Sequence, residues 1–281
     1  MPSTYAHYRF GKEVFAALPE GTAEIVREAR GLYDIGLHGP DLLFYYKPLG
    51  SNAVNRIGFG MHAEPAEKFF VPAAQIVRNG GAAQAAYAYG FICHFALDSA
   101  CHSYIENKIR LSHVTHTEIE SEFDRSLLLE EGKDPLSASL TAHIAASEEN
   151  ARVVAPFFGV SEKQAYKALR SMLFYNSLLR APRQPKRGLV NLVLKLSGNY
   201  KEMHGMMIAK RPIAACEDSN LRLKKLFEKA VPEAVSLIEN FSGYVRGDSR
   251  LSPAFENTFS HRRGWRSIPV LPPEEEKNYE V

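Results

Sequence analysis

The sequence predicts an all-α fold, and three observations lead to it. Apolar residues recur at helical spacing over long segments, whereas alternating β-branched runs bounded by turn residues do not. The 281 residues are 45% hydrophobic and 23% charged, which is the balance of a globular domain with a sizeable core. No internal repeat divides the chain. We therefore predict one multi-helix domain over residues 1–268 and a flexible acidic tail over residues 269–281.

Eight helices are predicted in chain order. Gly80 and Gly81 precede the third helix, and Asp134 and Ser161 precede the fifth and sixth. The predicted helices cover residues 10–31, 64–78, 82–107, 114–131, 136–155, 161–179, 188–197 and 217–245.

Two segments between these helices are predicted to be irregular. Residues 32–62 contain five glycines and two prolines, and loops on a helical scaffold are common places for active-site residues. Residues 181–188 carry two prolines, and together with Arg180 they carry four positive charges and no acidic group. This basic segment could contact phosphates, although a solvated loop explains it as well.

The overall charge and the cysteine count exclude several classes of protein. The formal charge is only +2, from 34 basic and 32 acidic residues, so no stable nucleic-acid complex is expected. The sequence has no run of eighteen apolar residues and no basic start followed by an apolar leader, so no transmembrane segment or signal peptide is predicted. Three cysteines favour a reducing compartment, and we expect a cytoplasmic protein. Nothing in the sequence indicates an oligomeric state.

The most informative pattern is His94-x-x-x-Asp98-x-x-x-His102, followed by His116-x-x-x-Glu120. Steps of four residues drift by only about 40° around a helix, so each set of side chains forms one stripe. The apolar neighbours of the first set predict a buried helix, in which three polar groups need partners. A metal ion supplies such partners.

Simpler explanations exist for most single residues. His116 and Glu120 alone would suit an exposed pair on one helix face. Asp41 follows Gly39-Pro40 and alone would suit a turn. Cys93 and Cys101 face about 100° away from the stripe and are predicted to pack in the core. We treat His143, His204 and His261 as ordinary surface or core residues.

Taken together, the candidates follow one order along the chain: His7, Asp41, His62, the His94 stripe and the His116 pair. This order resembles that of the zinc-dependent phospholipase C family. Three stretches, 39–46, 90–98 and 116–124, resemble the shorter bacterial members, and the similarity covers roughly residues 1–125.

The resemblance implies an all-α fold with three metal ions in one cleft. The first zinc would be held by His62, His94 and Asp98. The second zinc would be held by His102, His116 and Glu120. Asp98 would bridge to a third ion, which His7 and the amino terminus would complete, and Asp41 would orient water or act as general base.

This sequence departs from the family at the amino terminus and in its length. The secreted enzymes begin with a tryptophan, whereas the single tryptophan here is Trp265. Removal of Met1 would leave Pro2 to offer a secondary amine and a carbonyl. Nothing resembles the membrane-binding β-sandwich of the clostridial members.

The ligand types suit hydrolysis of a phosphodiester. Two close zinc ions neutralise the anionic substrate and lower the pKa of bound water toward ~7. We therefore predict a phosphodiesterase with two or three Zn²⁺ ions that acts on a phospholipid or another phosphodiester. Iron or manganese also fits the ligand types. The alternatives are a nuclease or nucleotidase of the same fold and a metal-binding protein without activity.

Overall fold

The computed structural model describes residues 4–196, 200 and 204–281, and it confirms the predicted all-α fold. These residues form twelve α-helices and several 3₁₀ turns, with no β-strand among them. The helices are α1 (Thr4–Ala17), α2 (Glu20–Glu28), α3 (Arg30–Gly36), α4 (Ala53–Ala63), α5 (Glu67–Arg78), α6 (Ala82–Ser112), α7 (His116–Glu130), α8 (Glu148–Phe158), α9 (Glu162–Leu179), α10 (Gln184–Leu196), α11 (Glu217–Arg246) and α12 (Pro273–Glu276).

The 31-residue helix α6 runs through the centre of the domain. Most of its side chains are buried, which is expected for a helix that is apolar on nearly all sides. Helices α3 and α11 make its most extensive contacts. The cysteines Cys93 and Cys101 are buried in the core and unpaired, as predicted. Ligand-type side chains on α6 are therefore held by a rigid, well-packed scaffold.

Two glycines allow α3 to lie directly on α6. A Cβ atom on Gly36 would come within 2.2 Å of a backbone oxygen of α6. A Cβ atom on Gly90 would come within 2.1 Å of a backbone oxygen of α3. The 3₁₀ turn Gly39–Tyr45 follows α3 and begins with Gly39 at φ +47°, packed against the ring of His94. This close approach places the turn that carries Asp41 above α6.

Several predicted elements differ from the structure. The predicted helix 10–31 lies in three helices. Pro19 cannot continue α1 and instead starts α2, and Ala29, at φ −124° and ψ 42°, separates α2 from α3. Helix α4 occupies the end of the segment 32–62 that was predicted to be irregular, and the side chain of Asn52 caps its first turn. In the predicted helix 136–155, turns precede α8, which begins after the cap residue Ser147. The second irregular segment contains the start of α10 at Gln184.

The other predicted helices agree with the structure to within a few residues, and the end of 188–197 lies outside the described residues. No helix in the described part of the chain combines the length and the hydropathy that a membrane span needs.

The acidic tail makes ordered contacts with α11. Glu276 in α12 is fully buried, and its two carboxylate oxygens accept hydrogen bonds of 2.7 Å from Nε and Nη2 of Arg222. The flexible tail over residues 269–281 was predicted from composition alone. Composition did not reveal these contacts because the partner charge lies 54 positions earlier in the chain.

Candidate metal centre

The predicted stripe on α6 lies on one buried face of the helix. Oδ2 of Asp98 is 3.1 Å from Nε2 of His94, one turn earlier. Oδ1 of Asp98 is 3.2 Å from Nε2 of His7 on α1. The two carboxylate oxygens thus face different histidines, which is the arrangement that a bridging carboxylate requires.

His7 reaches Asp98 because α7 fixes the start of α1. The carboxylate of Asp124 accepts hydrogen bonds from the backbone N–H groups of Tyr5, at 3.0 Å, and Ala6, at 2.7 Å. These N–H groups belong to the first turn of α1, where no carbonyl within the helix can accept them. A carboxylate also favours the positive end of the helix dipole. Asp124 therefore anchors the turn that carries His7.

Asp41 and His62 approach the stripe from the other side. Nε2 of His62 is 3.1 Å from Oδ1 of Asp41 and 3.8 Å from Oδ2 of Asp98. Oδ2 of Asp41 is 3.6 Å from Nε2 of His94. His62 lies in the last turn of α4, not in a loop as the sequence suggested.

The predicted pair on α7 meets the far end of the stripe. The side chain of Thr115 caps α7, and Nε2 of His116, the first helical residue, is 3.0 Å from Oε1 of Glu120. Nε2 of His102 is 3.7 Å from the same oxygen.

The structure brings all eight predicted residues into three adjoining groups. In each group the ligand atoms lie within 4.8 Å of one another. The groups are His7 with Asp41 and His94, His62 with His94 and Asp98, and His102 with His116 and Glu120. The third predicted site also invoked the amine and carbonyl of Pro2, which lies outside the described residues.

Within the described structure, several potential ligand atoms of these groups lack hydrogen-bond partners that a bound cation could replace. Both oxygens of Asp41, Nε2 of His94, Oδ2 of Asp98 and Oε2 of Glu120 are buried, and none makes a hydrogen bond within the described structure. Leaving so many buried polar atoms unpaired is costly. Neighbouring ligands of a tetrahedral zinc lie about 3.3–3.6 Å apart, given metal–ligand bonds of about 2.0–2.2 Å. Within these groups, the histidine–carboxylate separations of 3.0–3.8 Å bracket this range.

Backbone carbonyls orient three of the histidines. Nδ1 of His62 lies 2.9 Å from the carbonyl oxygen of Gly58. Nδ1 of His94 lies 3.3 Å from the carbonyl oxygen of Leu37, and Nδ1 of His102 lies 2.7 Å from that of Phe259. A carbonyl can only accept, so Nδ1 carries the proton and the Nε2 lone pair of the neutral ring is free. This is the usual orientation of metal-binding histidines.

The electrostatic environment favours positive charge. Burial by itself raises the pKa of a carboxyl group, but His102 and His94 hold the pKa of Asp98 well below its usual value. Burial likewise opposes the shift at Glu120, but His116 and His102 lower its pKa. Against the effect of burial, neighbouring carboxylates raise the pKa values of His102 and His116 to about 9. The carboxylates thus stay ionised and stabilise positive charge nearby.

Three contributors were not predicted. Oε1 of Glu106 is 3.8 Å from Nδ1 of His116, on the opposite side of the ring from Glu120. Asp124 anchors α1, and Phe259 supplies a carbonyl from the C-terminal region. The sequence does mark Glu106 and Asp124 by their spacing. Glu106 lies four residues after His102, and Asp124 lies four residues after Glu120. Each continues its stripe by one turn.

A narrow cavity reaches Glu120 from the side of α9. Tyr45 from the 3₁₀ turn, Asn176 and Leu179 from α9, and Ile208 also line it. A second cavity shares Asn176, Leu179 and Ile208 with the first and extends to Arg180 and Arg187. The two cavities share part of their lining, which together extends from Glu120 to Arg187 on α10.

The fold and the site define an all-α protein whose buried histidines and carboxylates converge in the manner of a metallohydrolase. A family model described as zinc dependent phospholipase C matches residues 6–175, which is more than half of the chain and includes all eight predicted residues. The chain therefore belongs to the zinc-dependent phospholipase C family, and the predicted zinc dependence and hydrolase class agree with this membership. No curated protein and no solved structure matches it.

Proposed function

We propose that this protein is a phosphodiesterase that hydrolyses a phospholipid-type phosphodiester with two or three bound Zn²⁺ ions. The observation that carries the proposal is the set of buried, unpaired donor atoms at the spacing of metal ligands. Family membership supports zinc and a phospholipid substrate. The net charge of the chain is only +2, which gives no strong electrostatic attraction for a long nucleic acid.

The proposed first site consists of His62, His94 and Asp98, and the second of His102, His116 and Glu120. His7 extends the cluster through Asp98 toward a third ion. Bound zinc would neutralise the phosphodiester and lower the pKa of a coordinated water.

Asp41 is proposed to act on the attacking water. Its carboxylate lies 3.1 Å from Nε2 of His62 and 3.6 Å from Nε2 of His94, and neither oxygen makes a hydrogen bond within the described structure. An oxygen of this carboxylate would accept the hydrogen bond of the water, fix its orientation and take its proton. The centre of the Phe259 ring lies 5.9 Å from that of His62 and 6.0 Å from that of His94, so an apolar group borders this part of the site.

The test is the variant Asp41→Asn, which keeps the size of the side chain and removes its negative charge. Hydrolysis of phosphatidylcholine should fall by about 10²–10⁴-fold, the usual contribution of a general base. The metal content, measured by mass spectrometry after purification without chelator, should stay at two or more ions per chain. Asp134→Asn is the matched control, because that aspartate is fully exposed and caps a surface turn.

Each other outcome contradicts a separate part of the proposal. Hydrolysis at the wild-type rate would remove Asp41 from the reaction. Joint loss of metal and activity would make Asp41 a ligand. Fewer than two ions in the wild-type protein would contradict the multi-metal site. Cleavage of single-stranded DNA or 3′-nucleotides in place of phosphatidylcholine would favour the nuclease or nucleotidase alternative, and no cleavage at all would favour a metal-binding protein without activity.

A further inference from the structure

Helix α10 presents an exposed stripe of large apolar side chains. Leu189, Leu192, Val193 and Leu196 are each more than half exposed. Their spacing of i, i+3, i+4 and i+7 places them on one face of the helix. We call these four residues the apolar stripe. A contiguous exposed apolar face usually marks a place of interaction.

This stripe is additional to a face of α10 that is already packed. Val190 and Leu194 are buried and form a small core with Ala181 and Met207. The guanidinium of Arg187 donates hydrogen bonds to the backbone carbonyls of Met207 and Ile208, at 3.3 and 2.8 Å. The helix is thus held by one face, while its apolar stripe faces solvent.

The same part of the chain is strongly basic. No acidic residue occurs between Glu162 and Glu202, although the whole chain has a net charge of only +2. This interval contains nine basic residues: Lys163, Lys167, Arg170, Arg180, Arg183, Lys186, Arg187, Lys195 and Lys201. Around α10, Arg180, Arg183, Lys186 and Lys195 are exposed. Basic charge beside an exposed apolar face is complementary to an anionic lipid surface.

Helix α9 repeats this combination. Lys163, Lys167, Arg170, Phe174 and Leu178 are all exposed, and their spacing puts them on one face of the helix. Of the eleven large hydrophobic residues that are exposed in the described part of the chain, six lie between residues 174 and 196. The apolar and basic groups are therefore concentrated in two neighbouring helices.

We propose that the exposed surface of α9 and α10 docks the protein on an anionic membrane. The apolar stripe inserts at the boundary between headgroups and acyl chains, and the basic residues lie against lipid phosphates. The cavity that Arg180 and Arg187 line adjoins the cavity at Glu120. Docking would thus hold lipid headgroups beside the residues that line these cavities, on the side of Glu120, a step that rests on the proposed function. Membrane binding itself does not depend on that function.

The experiment is sedimentation of the full-length protein with lipid vesicles. Wild-type protein should bind vesicles of phosphatidylglycerol and phosphatidylcholine, bind pure phosphatidylcholine more weakly, and lose affinity at high salt. The double variant Leu192→Ser/Val193→Ser should bind about tenfold more weakly or worse. Arg183→Gln/Lys195→Gln should lose most of the preference for anionic vesicles. Leu129→Ser is the matched control, because Leu129 is half exposed and belongs to α7, not to α9 or α10.

Membrane binding and hydrolysis are measured separately. Asp41→Asn should bind vesicles as the wild type does, and Leu192→Ser/Val193→Ser should hydrolyse a soluble short-chain lipid at the wild-type rate but vesicles more slowly. Equal vesicle binding by wild type and the stripe variant would overturn the docking proposal. A wild-type dimer that the stripe variant abolishes, without vesicle binding, would also overturn it in favour of self-association. Vesicle binding without any hydrolysis would contradict only the proposed function.

Discussion

The centre around Asp98 and the ion pair between Arg222 and Glu276 both bury charged side chains, but only the ion pair provides each carboxylate oxygen with a hydrogen-bond partner. Arg222 and Glu276 form two parallel hydrogen bonds of 2.7 Å, and the guanidinium also lies over the ring of Tyr279. The buried ammonium of Lys108 is also satisfied, since Nζ donates to both carboxylate oxygens of Asp218, at 2.7 and 2.8 Å. Around Asp98, by contrast, donor and acceptor atoms lie close together, and several make no hydrogen bond within the described structure.

We infer from this difference that the ion pair has a structural role and that the residues around Asp98 have a binding role. A buried ion pair with satisfied partners needs nothing further, and its charges stabilise each other. A buried group of histidines and carboxylates in which several polar atoms make no hydrogen bond is stable only if something else supplies the missing interactions. Metal ions should therefore stabilise the centre around Asp98 and leave the pair of Arg222 and Glu276 unchanged.

The largest effect is expected from Glu276→Ala. This change leaves the fully buried Arg222 without its carboxylate, and breaking such a pair typically costs about 3–5 kcal/mol of unfolding free energy. Urea denaturation measures the loss, which should be the same with and without a chelator. Glu274→Ala is the control, because Glu274 is exposed and its pair with Lys277 contributes less than about 1 kcal/mol. A loss that depends on the chelator would mean that the two regions are coupled.

The sequence predicted the all-α fold and the eight residues that the structure brings together, but it did not predict where several helices begin and end. Ligand spacing on α6 and α7 is a local property of a helix, so the stripes could be identified without tertiary structure. The break at Pro19 and the cap at Asn52 are also local, but tertiary packing decides whether such signals end or start a helix. The carbonyl of Phe259 lies 157 positions from His102, and no sequence pattern marks such a contact.

A smaller effect is expected from Glu106→Gln, which tests whether the α6 stripe extends by one turn. Glu106 faces Nδ1 of His116 at 3.8 Å, and a carboxylate in this position makes the ring a better ligand. The amide keeps the shape but not the charge, so the affinity for zinc should fall by about tenfold, or about 1.4 kcal/mol. Competition with a chromogenic chelator measures it. Glu67→Gln, exposed at the start of α5, should bind zinc like the wild type. Unchanged affinity in Glu106→Gln would limit the stripe to His102.

The smallest effect is expected from Asp124→Asn, which tests the boundary between the two kinds of buried charge. Asp124 continues the α7 stripe, yet both of its oxygens accept backbone N–H groups of α1. Asp124 should therefore contribute to the stability of the fold, as the buried ion pairs do, and not to metal binding. The amide has one acceptor oxygen instead of two, so the free energy of unfolding should fall by about 1 kcal/mol.

The metal content of Asp124→Asn should stay at the wild-type value, because hydrogen bonds to α1 already occupy the carboxylate. Denaturation without metal and metal analysis of the same preparation measure the two quantities. Loss of an ion with no change in metal-free stability would place Asp124 in the metal centre. Hydrogen bonding would then not separate ligands from structural carboxylates in this protein, and position on a stripe would be the better guide.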